Sequence, residues 1–300
     1  MSQMQDWRSI VTVQAIGRPE TKVMFRQERV DPDASPIDVF IRNTVAINML
    51  YIGHVRDGIT MAPELGSLVL LGYMSAVESY FRAVLRGAIH IDPKAQKAVE
   101  AMQVTYGAAL HHSRELLPEA LFEGVSFAGR KGAIGFVRDV LGLSGNLPAT
   151  VESALDPFLS ICEIRHCCVH RFGKLGSQNA IKLGLGDHST LIEQPFEPTL
   201  DHLQEIADAL LTFSKTINNW LWTELLRRTV RKTPRDTGVI EWSWFWEDDA
   251  QAFREYHGLF ASTLDSPPSP SDEVAYTAFA REFGPPGAPF FQLAEDNIAD

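Results

Sequence analysis

Residues 63–90 constrain this chain most. They carry Leu68, Leu71, Met74, Val77, Tyr80, Phe81, Val84 and Leu85 at helical spacing, with few polar positions between them. A helix apolar on nearly every side needs neighbours on nearly every side. This predicts a central helix wrapped by others. The run LGSLVLLGYMSAV inside it reads as too short and too interrupted to span a membrane. Its partners are therefore expected from the same chain.

The rest of the sequence supplies them. The segment DPDASP (31–36) reads as a linker and helix start, with Ser35 as cap and Pro36 at the first helical position. Residues 37–57 follow with Val39, Ile41, Val45, Ile47, Leu50 and Ile52. Residues 94–122 read as an amphipathic helix broken before Pro118, and 131–142 as a shorter one. Residues 148–172 read as a helix in which Pro157 marks a kink or a split. The Gly-rich stretch 173–196 is expected to be a loop excursion. A closing helix over 198–231 carries Leu203, Ile206, Leu210, Phe213, Ile217, Trp220 and Leu221. Ahead of all these, residues 9–30 alternate apolar and polar around 17–19, the pattern of a small hairpin. The expected fold class is all-α, with a β-hairpin segment in 1–35, a helical domain over 36–235 and a C-terminal extension over 236–300.

That extension differs from the body in charge. Residues 236–300 hold 13 acidic and two basic side chains, Arg254 and Arg281, so the whole net charge of −11 falls there. Residues 1–235 hold 25 of each sign. An acidic total thus does not exclude nucleic acid binding by the body, although no broad basic stripe advertises it. The dense run Arg227, Arg228, Arg231, Lys232 and Arg235 reads as a solvated helix C-terminus, where cations offset the helix dipole. In the extension, Trp242, Trp244, Trp246, Phe253, Tyr256 and Phe260 need a surface to pack on, and such docking would bring Glu247, Asp248 and Asp249 near the basic run. SPPSPS within 265–272 reads as a linker, 273–283 as a short helix, and the end as partly disordered.

Cys162, Cys167 and Cys168 form an odd, clustered set and no disulfide framework. The N-terminus lacks the pattern of a signal peptide. Both features lead to the expectation of a cytoplasmic protein with no membrane partner.

The chemistry-bearing segment is ICEIRHCCVHRFGKL, 161–175. Phosphodiester cleavage without a metal needs a group that moves protons at neutral pH, and histidine's ordinary pKa suits that. It also needs a fixed cation for the phosphate oxygens, and the planar arginine fork matches them. Arg165 stands four intervening residues before His170, and no other histidine has an arginine upstream at four to six intervening residues. His166 and His170, four apart, share a helix face. Arg165 and His170, five apart, diverge around the helix, so the arginine must wrap toward a common cleft or serve one shared with a second copy. The spacing by itself also fits an ordinary helix with a capping histidine and an exposed arginine.

The R-H-x-x-x-H stretch 165–170, followed by Arg171 and a glycine, resembles the R-x4-6-H motif of the HEPN superfamily. V-E-S-Y-F-R-A-V-L at 77–85 resembles a core helix of that family. The order of helices is similar too, over roughly 37–231. The resemblance implies an up-and-down helical bundle that dimerises with both motifs facing one cleft. It implies a metal-independent endoribonuclease without a cofactor, of the kind used as toxins or in phage defence, with RNA as substrate and an antitoxin or inhibitor protein as a further partner. Arg165 and His170 would be the catalytic pair, His166 the auxiliary polar residue and Glu78 a supporting carboxylate. Some members are non-catalytic RNA- or protein-binding and dimerisation modules, which is the alternative for this chain.

Other chemistries fit less well. His166 and His170 resemble half a zinc site, but the sequence is not H-E-x-x-H and contains no C-x2-C knuckle. A Cys–His nucleophile pair on one short helix lacks an orienting third group. GRKG at 129–132 lacks the frame of a phosphate-binding P-loop, and GLGDHST at 184–190 reads as a turn.

Overall fold

The computed structural model describes residues 10–11, 13–14, 16–26, 34–56, 62–230 and 240–286. Ala34–Asp300 form one compact unit and Met1–Asp33 another. The described part is all-helical.

Ten α-helices are described: α1 (Pro36–Arg56), α2 (Pro63–Ile91), α3 (Pro93–Val99), α4 (Tyr106–His111), α5 (Val137–Leu141), α6 (Ala149–Arg171), α7 (Ser177–His188), α8 (Leu200–Val230), α9 (Trp246–Phe260) and α10 (Asp272–Phe283). A π turn, Lys131–Phe136, leads into α5. As its sequence demands, α2 is central and packs against α1, α6, α8 and α9. Its Val77, Tyr80, Phe81, Val84 and Leu85 are buried. Phe81 stacks on Phe127 with ring centroids 5.1 Å apart, and Phe158 of α6 stacks on Phe213 of α8 at 3.9 Å. Tyr80 Oη donates to Asn218 Oδ1 at 3.2 Å, and Asn218 Nδ2 donates to the Phe260 carbonyl at 2.8 Å. One polar side chain thereby links α2, α8 and the end of α9 inside an apolar core, with both ends of its amide satisfied.

By length and composition α2 is apolar enough to cross a membrane, contrary to the reading of its apolar run as too short. Over half of its most apolar window is buried in the bundle, which is how a core helix meets the same test.

Several elements differ from expectation. The stretch 9–30 contains no strand among its described residues. It has only a 3-10 turn, Thr21–Met24, and Ile10, Val11, Val13, Ile16 and Val23 are exposed. Alternation without a third strand or a helix to cover it is too weak to hold a hairpin. The remaining residues of 9–30 lie outside the described set. The helix expected over 94–122, with its break before Pro118, is divided further upstream as well. Asp92 caps α3 by accepting from the Lys94 and Ala95 amides, Thr105 caps α4 by accepting from the Ala108 amide, and Leu117–Leu121 form a 3-10 turn. Two capping side chains set helix starts that apolar spacing does not reveal.

Pro157 does not split α6, for the helix runs unbroken from Ala149 to Arg171. Pro157 and Ser153 both face solvent, so the carbonyl freed by the missing amide is open to water. The expected loop 173–196 holds α7, which bends at Gly184 (φ 105°), and 184–190 is the bent end of that helix followed by a 3-10 turn rather than a free turn.

The C-terminal segment belongs to the core. Phe253, Tyr256 and Phe260 of α9 are buried, and α9 packs on α2 and α8. Trp242 and Trp246 surround Phe253 and Tyr276. Asp249 is buried, accepting from the Ser243 amide at 3.0 Å, the Trp244 amide at 2.9 Å and Tyr276 Oη at 2.5 Å. It folds its own segment. The expected linker 265–272 is held as well: the Ser269 amide donates to the Ser262 carbonyl at 2.8 Å, and His257 Nε2 lies 3.0 Å from the Pro270 carbonyl. The expected disorder of the end falls largely on 287–300, outside the described residues.

Candidate functional site

The C-terminal turns of α6 carry Arg165, His166 and His170. One side of these turns is committed to the core through Ile161, Cys162, Cys167 and Cys168, all buried. The other side presents His166 and His170 to solvent. Their rings lie 4.6 Å apart, centroid to centroid, at an interplanar angle of 50°. This is the neighbour relation that four-residue spacing gives on a helix.

Arg165 lies at the edge of the core and is half-buried. Among the described residues it makes no hydrogen bond and no ion pair. The cations around it behave differently. Arg171 pairs with Glu193 and Lys182 with Glu163, the latter at 2.8 Å. Asn179 Nδ2 also donates to Glu163 Oε2 at 2.8 Å, so this carboxylate is doubly engaged by α7. The sequence signal for these three contacts is faint, because each partner sits in the stretch expected to be a loop.

Glu78 stands on α2 and accepts from Ser126 Oγ at 3.1 Å. The Cys162 thiol, pushed up to about 12 chiefly by burial, is raised further by Glu163 and Glu78 and lowered by Arg165. Arg165 and Glu78 are therefore within electrostatic reach of one thiol, across the packing of α2 and α6. Burial also raises the Cys168 thiol, whose Sγ contacts Ser67 Oγ at 3.7 Å. Buried thiols held protonated do not supply the thiolate that a Cys–His pair needs. Among the described residues no three His, Cys, Asp or Glu side chains converge as metal ligands.

The helix ends abruptly below the histidines. Phe172 takes a left-handed conformation (φ 52°), and the Gly173 amide returns to the Cys167 carbonyl at 3.1 Å. This closure leaves Val169 44% and Phe172 84% exposed beside His170. No family model, no curated protein and no solved structure matches this chain. The chemistry of the site therefore rests on its own residues.

The basic run behaves differently from expectation at its described end. Arg228 is buried, not solvated, and pairs with Asp92: Nε donates to Oδ2 at 3.0 Å, and Nη2 donates to Oδ1. Its Nη1 donates to the Leu141 carbonyl, and Tyr256 Oη donates to Asp92 Oδ2 at 3.2 Å. Arg231, Lys232 and Arg235 lie outside the described residues.

Proposed function

We propose that this protein is a metal-independent endoribonuclease in which Arg165 and His170 are the catalytic pair. The observation that carries the reading is the contrast within α6: a half-buried guanidinium with no hydrogen bond or ion pair among the described residues, on the same C-terminal turns as two exposed, adjoining imidazoles. A cation partly removed from water favours an anion beside it, and a phosphodiester supplies one. His170 takes the proton of the ribose 2′-hydroxyl as the 2′-oxygen bonds to phosphorus. The bond from phosphorus to the 5′-oxygen breaks, and that oxygen gains a proton. Arg165 holds the non-bridging oxygens as charge builds on them. The products are a 2′,3′-cyclic phosphate and a 5′-hydroxyl end. His166 is the auxiliary polar group beside His170, and Glu78 supports Arg165 from α2.

The reading includes a homodimer. Exposed Val169 and Phe172 give His170 an apolar border that a second copy can cover, and a shared cleft lets each Arg165 serve its partner's His170. The resemblance to HEPN ribonucleases extends the proposal to a toxin or phage-defence role with an antitoxin or inhibitor as a further partner.

Purified protein incubated with RNA in EDTA tests the chemistry. Cleavage with cyclic-phosphate ends is expected, and His170→Ala is expected to lower the rate on the order of 10²-fold or more, as for general acid–base groups. Abolition of cleavage by EDTA, or full activity in both His170→Ala and Arg165→Ala, overturns the mechanism. Binding of RNA or of a protein that depends on Arg165, with no cleavage, assigns the fold to the non-catalytic class instead.

A further inference from the structure

A cleft of about 630 Å³ opens where the π turn and α5 face the first turn of α6. Arg130, Lys131 and Arg138 line it against one carboxylate, Glu152, a local excess of two positive charges in a chain of net charge −11. The three cations are engaged unequally. Arg130 is neutralised by a two-pronged pair with Glu152, at 2.9 and 2.6 Å. Arg138 donates from Nη2 to the Gly145 carbonyl at 2.6 Å, which anchors the fork but leaves its charge unbalanced. Lys131 is exposed and has no hydrogen bond or ion pair among the described residues.

A glycine supplies the second observation. Lys131, Ile134, Gly135 and Arg138 fall at i, i+3, i+4 and i+7, one side of the helical segment, with Gly135 between the two uncompensated cations. Glycine inside a helix is destabilising relative to alanine, so its presence asks for a reason. Gly132, in the same π turn, has one in packing: a Cβ there would lie 2.0 Å from the Ser126 carbonyl oxygen. Gly135 has none, since a Cβ would meet nothing within 4 Å and its φ is not in the left-handed region. What the missing side chain keeps open is the cleft. A π turn at such a place is a frequent companion of ligand sites.

We propose that this cleft binds a phosphate group, held by the Arg138 fork and the Lys131 ammonium, over the floor left by Gly135. Arginine matches phosphate oxygens in a plane, and lysine adds a point charge that can swing to meet them. The phosphate belongs to a free nucleotide or to a nucleic-acid strand, which present the same chemistry here. The site is separate from the histidines, since Glu152 and His170 are 18 residues apart on α6, about 27 Å at 1.5 Å per residue.

The full chain is titrated with a fluorescein-labelled 2′-O-methyl RNA 12-mer, which cannot be cut by 2′-hydroxyl attack, and with ATP and inorganic pyrophosphate as competitors. The result is thus independent of whether Arg165 and His170 cleave RNA. Lys131→Gln with Arg138→Gln is expected to weaken the affected probes about 10-fold or more. For the strand it should reduce the slope of log affinity against log salt by about 0.7, the value for one phosphate contact on a single strand. Gly135→Leu, which keeps every charge but fills the floor, is expected to give a loss of similar size. Should that variant fold poorly, Lys131→Glu, at an exposed position with no partner to lose, is expected to give the loss instead. Competition by ATP and pyrophosphate identifies a small-phosphate site, and competition by unlabelled RNA alone identifies a strand site; either supports the proposal. Wild type that binds none of the probes overturns it. So does a charge-deleted variant that binds as wild type, or a folded Gly135→Leu that keeps full affinity while the charge variant loses it.

Discussion

Two arginines at similar helix positions show what environment does to one side chain. Arg228, near the end of α8, directs Nε and Nη2 at Asp92 and Nη1 at the Leu141 carbonyl, with Tyr256 completing the carboxylate's shell. Arg165, near the end of α6, has no such partner among the described residues. The first belongs to a closed polar knot joining the α2–α3 junction, α8 and α9. The second makes no hydrogen bond or ion pair among the described residues and sits on the helix that carries two exposed histidines. In sequence Arg228 lies in a basic run that reads as solvated, and Arg165 in an apolar, cysteine-rich helix. Local density of charge is a poor guide to which cation is free. The carboxylate that satisfies Arg228 is 136 positions away.

The largest effect separating the two regions is expected from the knot. Asp92→Ala or Arg228→Ala leaves one buried charge without its partner, and each is expected to cost about 3–5 kcal/mol in urea unfolding. Asp92→Ala also removes the cap of α3. The double variant is expected to cost clearly less than the sum, because the second removal takes away the charge that the first left stranded. Additive losses would mean that the two side chains do not act as one unit.

A second buried carboxylate gives a smaller, pH-dependent effect. Asp38, in the first turn of α1, is 3% exposed. It accepts from the Thr263 amide at 2.9 Å, Thr263 Oγ1 at 2.7 Å, the Leu264 amide at 3.3 Å and the Ser262 hydroxyl. Burial pushes its pKa up, but these hydrogen bonds outweigh burial and hold it below the usual carboxylate value. Its stabilisation is therefore present above the unfolded value of about 3.9 and is lost as pH falls through the lower folded value. Asp38→Asn is expected to cost about 1–3 kcal/mol at pH 7 and to flatten the acid limb of stability against pH. An acid limb of unchanged slope would show that Asp38 does not set it.

The parts of the fold legible in the sequence are those written in local periodicity. The apolar pattern of 63–90 and 198–231 places α2 and α8 within a residue or two of their observed ends. The C-terminal aromatics announce a docked surface. What escaped is what depends on a distant partner or a single cap. Residues 94–122 look like one helix until Asp92 and Thr105 are seen to start two. Residues 173–196 look like loop because Gly184 and Gly186 dilute the pattern, whereas α7 is fixed by Asn179 reaching Glu163 on α6. Asp249 reads as one member of an acidic cluster until the Ser243 and Trp244 amides are seen to use it. At the candidate site, the pairing of His166 with His170 was readable from spacing. The isolation of Arg165 was not, since it turns on side chains that are absent around it rather than on any it carries. GRKG at 129–132 lacks the frame of a P-loop, yet Arg130 and Lys131 line the cleft whose third cation, Arg138, comes one helical segment later.

The smallest expected effect is the most telling for the comparison. Arg165→Ala removes a half-buried side chain that has no hydrogen bond or ion pair to lose among the described residues. Away from core packing and buried networks, substitutions stay within about 0.5 kcal/mol, so thermal and urea unfolding of Arg165→Ala should nearly match wild type. The packing of the arginine's aliphatic stem against the edge of the core sets the upper bound on the loss. A structural arginine behaves the other way, as Arg228 is expected to. If Arg165→Ala destabilises the fold by several kcal/mol, its guanidinium is satisfied within the protein and is not held for an anion. If stability is kept while cleavage or RNA binding is lost, the side chain is spent on a ligand rather than on the fold.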